Sequence, residues 1–160
     1  MSFVYPKGAR SFFKAVERVA AGQTHFSTMF DSYYLCLMVG LDQRTLAAAD
    51  DLEKDKFVEG YPTEHQAHSD LIAGLLVDAE LDRRGIAAED RRSIEALMVE
   101  LLDPQSPTKL SEEGMKLLNR YAAHGFEVIR ESTPPPHAVE DFLLAYHRLW
   151  TGLGAVPTPA

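Results

Sequence analysis

Apolar residues recur every three to four positions in six stretches of the chain, the spacing of amphipathic helices. The first stretch runs from about Ser11 to Ala21, with Phe12, Phe13, Val16 and Val19 on one side and Gly22 as a stop. The second runs from about Thr28 to Leu41, where Ser27 or Thr28 can cap and Asp31 suits the positive first turn. It is apolar almost all round, through Phe30, Tyr34, Leu35, Leu37, Met38, Val39 and Leu41. That pattern predicts the central element of a bundle or a helix covered by a partner. A strand over Tyr33 to Val39, ended by Gly40, is the rival, with helix preferred.

The third stretch opens at Tyr61-Pro62-Thr63, with Thr63 as N-cap and Gln66 in the capping-box position. Its stripe is Ala67, Leu71, Ile72, Leu75, Leu76 and Ala79, and Gly85 ends it after Arg83 and Arg84. A fourth helix is predicted from about Glu89 to Leu102 on Ile94, Leu97, Met98, Leu101 and Leu102. Asp103-Pro104-Gln105-Ser106-Pro107 breaks the pattern. The fifth begins at Ser111, carries Met115, Leu118, Tyr121 and Ala122 inward, and is ended or interrupted by Gly125. After the stiff Pro134-Pro135-Pro136 connector comes the sixth, about Ala138 to Thr151, with Val139, Phe142, Leu143, Tyr146, Leu149 and Trp150 on one face. The span from Asp42 to Gly60 reads as a solvated connection with a short helix near Thr45 to Leu52, and the tail from Gly152 to Ala160 as frayed. With no internal repeat and no dividing linker, residues 1–160 read as one all-α domain, a bundle of about six helices.

Composition sharpens this picture. At 160 residues and 46% hydrophobic content the chain can build a core without staples. Acidic residues outnumber basic ones by 24 to 16, a net charge of -8, which argues against a wholly basic nucleic-acid face. Cys36 is the only cysteine, so neither an intramolecular disulfide nor a cysteine-built zinc site can form. Its apolar neighbours predict a buried, inert thiol. The opening residues do not resemble a signal peptide, and no apolar run matches the roughly 18 residues of a membrane span. A cytoplasmic protein without membrane contact is expected, and the richness in Ala, Arg and Asp suggests a bacterial source of high GC content.

Three clusters can carry chemistry. Glu64, His65 and His68 could ligate a divalent metal, since imidazole and carboxylate suit zinc or iron. A complete site needs another ligand, for which Asp78, Glu80, His124 and His147 are available; the alternative is a hydrogen-bonded core histidine at position 68. Arg83, Arg84, Arg91 and Arg92 bracket the Gly85 turn and could meet phosphates, although Asp82, Glu89 and Asp90 blunt them and helix-end electrostatics also account for them. Phe26, Phe30, Tyr33 and Tyr34 crowd aromatic surface into one quarter of the chain, which suggests either a protein contact or core filling. Neither a nucleophile elbow nor a phosphate-cradling glycine loop is present. Catalysis is not favoured, and no cofactor is required beyond the candidate divalent metal.

The run Phe30-Asp31-Ser32-Tyr33-Tyr34-Leu35-Cys36-Leu37-Met38-Val39-Gly40-Leu41 resembles the Leu-Cys-containing helix of DndE-type proteins, small helical members of bacterial DNA phosphorothioation and phage-defence gene sets. The likeness covers about a dozen residues and transfers no functional position. The family is expected to be basic and to touch DNA, and this acidic chain departs from it there. The expectation is a small acidic helical accessory or adaptor subunit of a bacterial complex, acting by protein contact or self-association, with a setting in DNA modification or phage defence. The alternatives are a metal-dependent helical enzyme or sensor using His65 and His68, and a DNA-binding accessory protein using the four arginines.

Overall fold

The computed structural model describes residues 2–17 and 25–153. Among these, seven helices dominate and a two-stranded antiparallel sheet joins them. Strand β1 (Phe3–Pro6) leads into two single-turn helices, α1 (Ala9–Phe12) and α2 (Lys14–Glu17). Helix α3 (Met29–Gln43) is followed by β2 (Leu52–Val58), α4 (Ser69–Arg83), α5 (Arg91–Leu101), α6 (Glu112–Ser132) and α7 (Val139–Leu153). The all-α expectation is therefore corrected to helix-dominated with a small sheet.

The sheet escapes periodicity for a physical reason. β1 is four residues long, and β2, Leu-Glu-Lys-Asp-Lys-Phe-Val, is largely polar because its middle faces solvent. Phe3 and Tyr5 of β1 are fully buried, and the strand pairs with β2 at Phe3–Val58, Val4–Lys56 and Pro6–Leu52 with irregular register. Its other edge is satisfied by a side chain: Asn119 of α6 accepts the Val4 N–H at 3.1 Å and donates to the Ser2 carbonyl at 3.1 Å. Leu52 to Val58 is thus strand where a solvated connection was expected, and the short helix there is a single 3-10 turn at Ala49–Asp51.

α3 is helical and central, as its apolar circumference predicts. The Thr28 N–H donates to the Asp31 carboxylate at 3.1 Å, fixing its start, and Arg44 ends it in a left-handed conformation at φ 50°. Gly40 does not stop α3, nor does Gly125 interrupt α6, which runs unbroken to Ser132. The two glycines meet where the helices cross. A Cβ on Gly125 would lie 1.7 Å from the Cys36 carbonyl oxygen, and one on Gly40 would lie 1.8 Å from that of Tyr121. Only a hydrogen in place of a side chain permits this approach.

The remaining boundaries move by small amounts. The first predicted helix splits into α1 and α2 at Phe13, while Val19 and Gly22 lie outside the described residues. Thr63 does not cap α4; residues Thr63–His68 form a 3-10 turn and α4 starts at Ser69. Ala67 and Leu71, predicted inward, are exposed as a result. At the other end Gly85 stops α4 as expected, with φ 68°. Ser111 caps α6 by accepting the Gly114 N–H at 3.0 Å, and α7 continues through Gly152 to Leu153, beyond the predicted fraying point. No helix among the described residues is long and apolar enough to cross a membrane.

Candidate functional site

Of the four aromatics expected to face a partner, Phe30 and Tyr33 are inside the core, and that part of the expectation is corrected. Both pack edge-on or tilted against Phe3 and Phe57, so the residues of β1 and β2 cover what the α3 periodicity left unpaired. The Tyr33 hydroxyl donates to Asn119 at 2.8 Å, and burial raises its pKa well above the ordinary tyrosine range. Phe26 is half-buried against Phe142 of α7, with centroids 6.0 Å apart. Tyr34 is half-buried on the outer side of α3.

There Tyr34 joins a groove of about 470 Å³ between α3, α4 and α7. α3 supplies Tyr34, Leu35, Met38 and Leu41, α4 supplies Leu75, and α7 supplies Tyr146 and Trp150. The walls exist because α7 sits loosely: only Val139 and Phe142 of its fifteen residues are buried. The Tyr146 hydroxyl donates to the Leu35 carbonyl at 2.8 Å, and burial first of all raises its pKa. The rim is acidic. Asp42 and Asp78 line it, and Arg44, reaching from the end of α3, pairs with Asp78 at 3.1 Å and Asp82 at 2.9 Å. Sequence periodicity could not find this site, because the residues come from three separated helices and Leu75 and Trp150 read as ordinary core positions.

The histidines come together in a way that the helical spacing did not predict. A 3-10 turn eclipses positions i and i+3, which sets His65 Nδ1 and His68 Nδ1 3.3 Å apart. His65 Nε2 lies 2.6 Å from Asp31 Oδ1, so a first-turn residue of α3 anchors the pair. Tyr34 stacks on His68 at 5.0 Å and 20°, while Phe30 lies 4.7 Å from the His65 ring. Glu64 is exposed and outside this chain of bonds. Among the described residues, no group of three or more His, Cys, Asp or Glu converges to hold a metal ion. Asp78 and Glu80 are engaged by arginines, and His124 lies 3.7 Å from Glu127.

Glu80 is the residue whose importance the pattern hid. Its side chain is fully buried on α4, and it accepts from Arg83 at 2.5 and 2.8 Å, from Arg84 at 3.0 Å and from the Tyr121 hydroxyl at 2.5 Å. Burial pushes its carboxyl pKa up, but the bonds from Arg83, Tyr121 and Arg84 outweigh that and bring it down to about 2. Arg84 also pairs with Glu100 at 3.0 Å, and Arg91 with Glu95 at 2.9 Å. Of the four arginines in the candidate phosphate-binding patch, Arg83, Arg84 and Arg91 are paired with carboxylates and Arg92 is exposed. A glutamate followed at i+3 and i+4 by two arginines was the available signal.

A second, half-buried carboxylate behaves oppositely. Glu17 at the end of α2 accepts from Tyr5 at 2.8 Å and from Ser32 at 2.7 Å, and those two hydroxyls also contact each other. Burial raises its pKa from the ordinary value, the hydroxyl bonds only partly offsetting it. Cys36, fully buried nearby, has a thiol pKa raised by burial, consistent with an inert thiol. Comparison of the chain with family models, curated proteins and solved structures gave no match in any of the three.

Proposed function

We propose that the chain is a protein-contact subunit whose α3–α4–α7 groove receives an apolar helix bearing basic flanking residues. The observation that supports this reading is the groove itself: an open apolar trough with Tyr34, Leu75, Tyr146 and Trp150 on its walls and acids on its rim. Helix-in-groove recognition needs such a trough to bury anchors spaced a turn apart. The rim residues Asp42 and Asp78 outnumber Arg44, and the whole chain carries a charge of -8, so cations on the incoming helix are favoured. The DndE-type resemblance of α3 supports a setting in a bacterial complex of DNA modification or phage defence, with any contact to DNA made by the partner.

Trp150 is the only tryptophan and lines the groove, so its emission reports occupancy. Titration with a basic amphipathic helical peptide is expected to give a saturable change that weakens with salt. An acidic peptide of the same apolar pattern is expected to give little, and Leu75→Glu is expected to abolish the response while leaving helical circular dichroism unchanged. An unchanged Trp150 emission with both peptides would sink this reading.

A further inference from the structure

We propose that His65 and His68 form a two-imidazole site for zinc or a neighbouring borderline divalent cation, with Asp31 as the carboxylate that orients His65. Two nitrogens bound at about 2.0–2.1 Å to one tetrahedral zinc lie about 3.3–3.4 Å apart. His65 Nδ1 and His68 Nδ1 are separated by 3.3 Å. The 3-10 turn supplies that spacing through the backbone, with His65 buried and His68 half-buried, so little ordering remains to be done on binding. The second half of the arrangement is the Asp31 bond. A metal-bound histidine commonly donates its other ring N–H to a carboxylate, which fixes its tautomer and strengthens it as a ligand. His65 Nε2 and Asp31 Oδ1 stand at 2.6 Å in that relation, and the second Asp31 oxygen is held by the Thr28 N–H.

The proton balance is simple. With Nε2–H of His65 directed at Asp31, its Nδ1 carries a lone pair, and His68 Nδ1–H donates into it. Zinc takes the place of that shared proton: His68 moves its proton to Nε2 through solvent, both Nδ1 atoms become ligands, and the neutral pair loses no proton overall. Water completes the coordination, or a side chain brought by a partner. This site does not rest on the groove proposal, although Tyr34, which stacks on His68, also lines the groove.

Zinc alone is the probe. Calorimetric titration of the tag-free chain is expected to give one equivalent bound, lost in His68→Ala and in His68→Gln, which retains a hydrogen-bonding side chain beside His65. Asp31→Asn is expected to weaken binding by about 10–100-fold, the usual cost of removing an orienting partner, with helical circular dichroism retained. Cobalt(II) is expected to give a visible band that disappears in His68→Gln. Failure of the wild-type chain to take up zinc would overturn the proposal. So would undiminished uptake by both His68 variants, since the metal would then sit on other histidines.

Discussion

The crossing of α3 and α6 and the seat of α7 are built on opposite terms. At the crossing, two glycines let backbones touch, with the Cys36 and Tyr121 carbonyls filling the space where side chains would stand. At the seat, one phenylalanine and one valine are buried, and the tyrosine–carbonyl bond of Tyr146 spans to α3 beside open volume. Close packing leaves the first region a single arrangement, because interiors respond to a change of even one methylene. Open volume lets the second accept side chains from outside. The lesson is that a fold can hold its specificity in one pair of helices and leave another helix available.

One added methyl group separates the two regions most strongly. Gly125→Ala places carbon against the Cys36 carbonyl and is expected to cost about 3 kcal/mol or more in urea denaturation. Gly152→Ala on α7 meets nothing within 4 Å and is expected to gain about 0.5 kcal/mol through reduced unfolded-state freedom. Equal losses at the two positions would dissolve the contrast.

Removing the carboxylate that ties α4 to α6 comes next. Glu80→Gln is expected to cost about 2–3 kcal/mol, since the neutral amide keeps one acceptor oxygen for the donors of Arg83, Arg84 and Tyr121 and turns an amino group toward the rest, a loss that solvent at the partly exposed arginines only partly offsets. The pH dependence has a defined sign. Glu80 has a lowered folded pKa, so its contribution is complete above its ordinary value of 4.5 and is lost as pH falls through that value toward about 2. Glu17 has a raised one, so its contribution is complete below 4.5 and fades as pH rises through the folded value. Acid titration of Glu80→Gln is expected to lose the first limb and keep the second.

The smallest effect belongs to the outside of α7. Leu144 is 51% exposed, and Leu144→Gln is expected to change stability by less than about 0.5 kcal/mol by thermal melting.

Sequence and structure agree where a long periodic segment packs on its own stripe. The position of α6 and the caps at Ser111 and Gly85 were legible for that reason; α5 and α7 stand where their periods put them, although the stripe residues Met98 and Leu143 are exposed. β1 was not, because four residues carry no measurable period and its partners lie about fifty and over a hundred residues away. Gly40 and Gly125 misled for a related reason: locally a glycine reads as a stop, and only the opposing backbone reveals its packing role. The histidine pair was legible as residues but not as geometry, since a 3-10 turn and an α-turn share sequence preferences yet place i and i+3 differently. The groove was invisible because it is defined by what three helices fail to fill.

Asn119 closes the second edge of β1 and also receives Tyr33 of α3. Consequently neither segment can be completed during synthesis until α6 has left the ribosome. The roughly 110 residues between β1 and Asn119 take on the order of ten seconds to translate at about 5–20 residues per second. During that interval Phe3 and Tyr5, joined by Phe30 and Tyr33 as these are made, wait for the α6 residues that complete their surroundings.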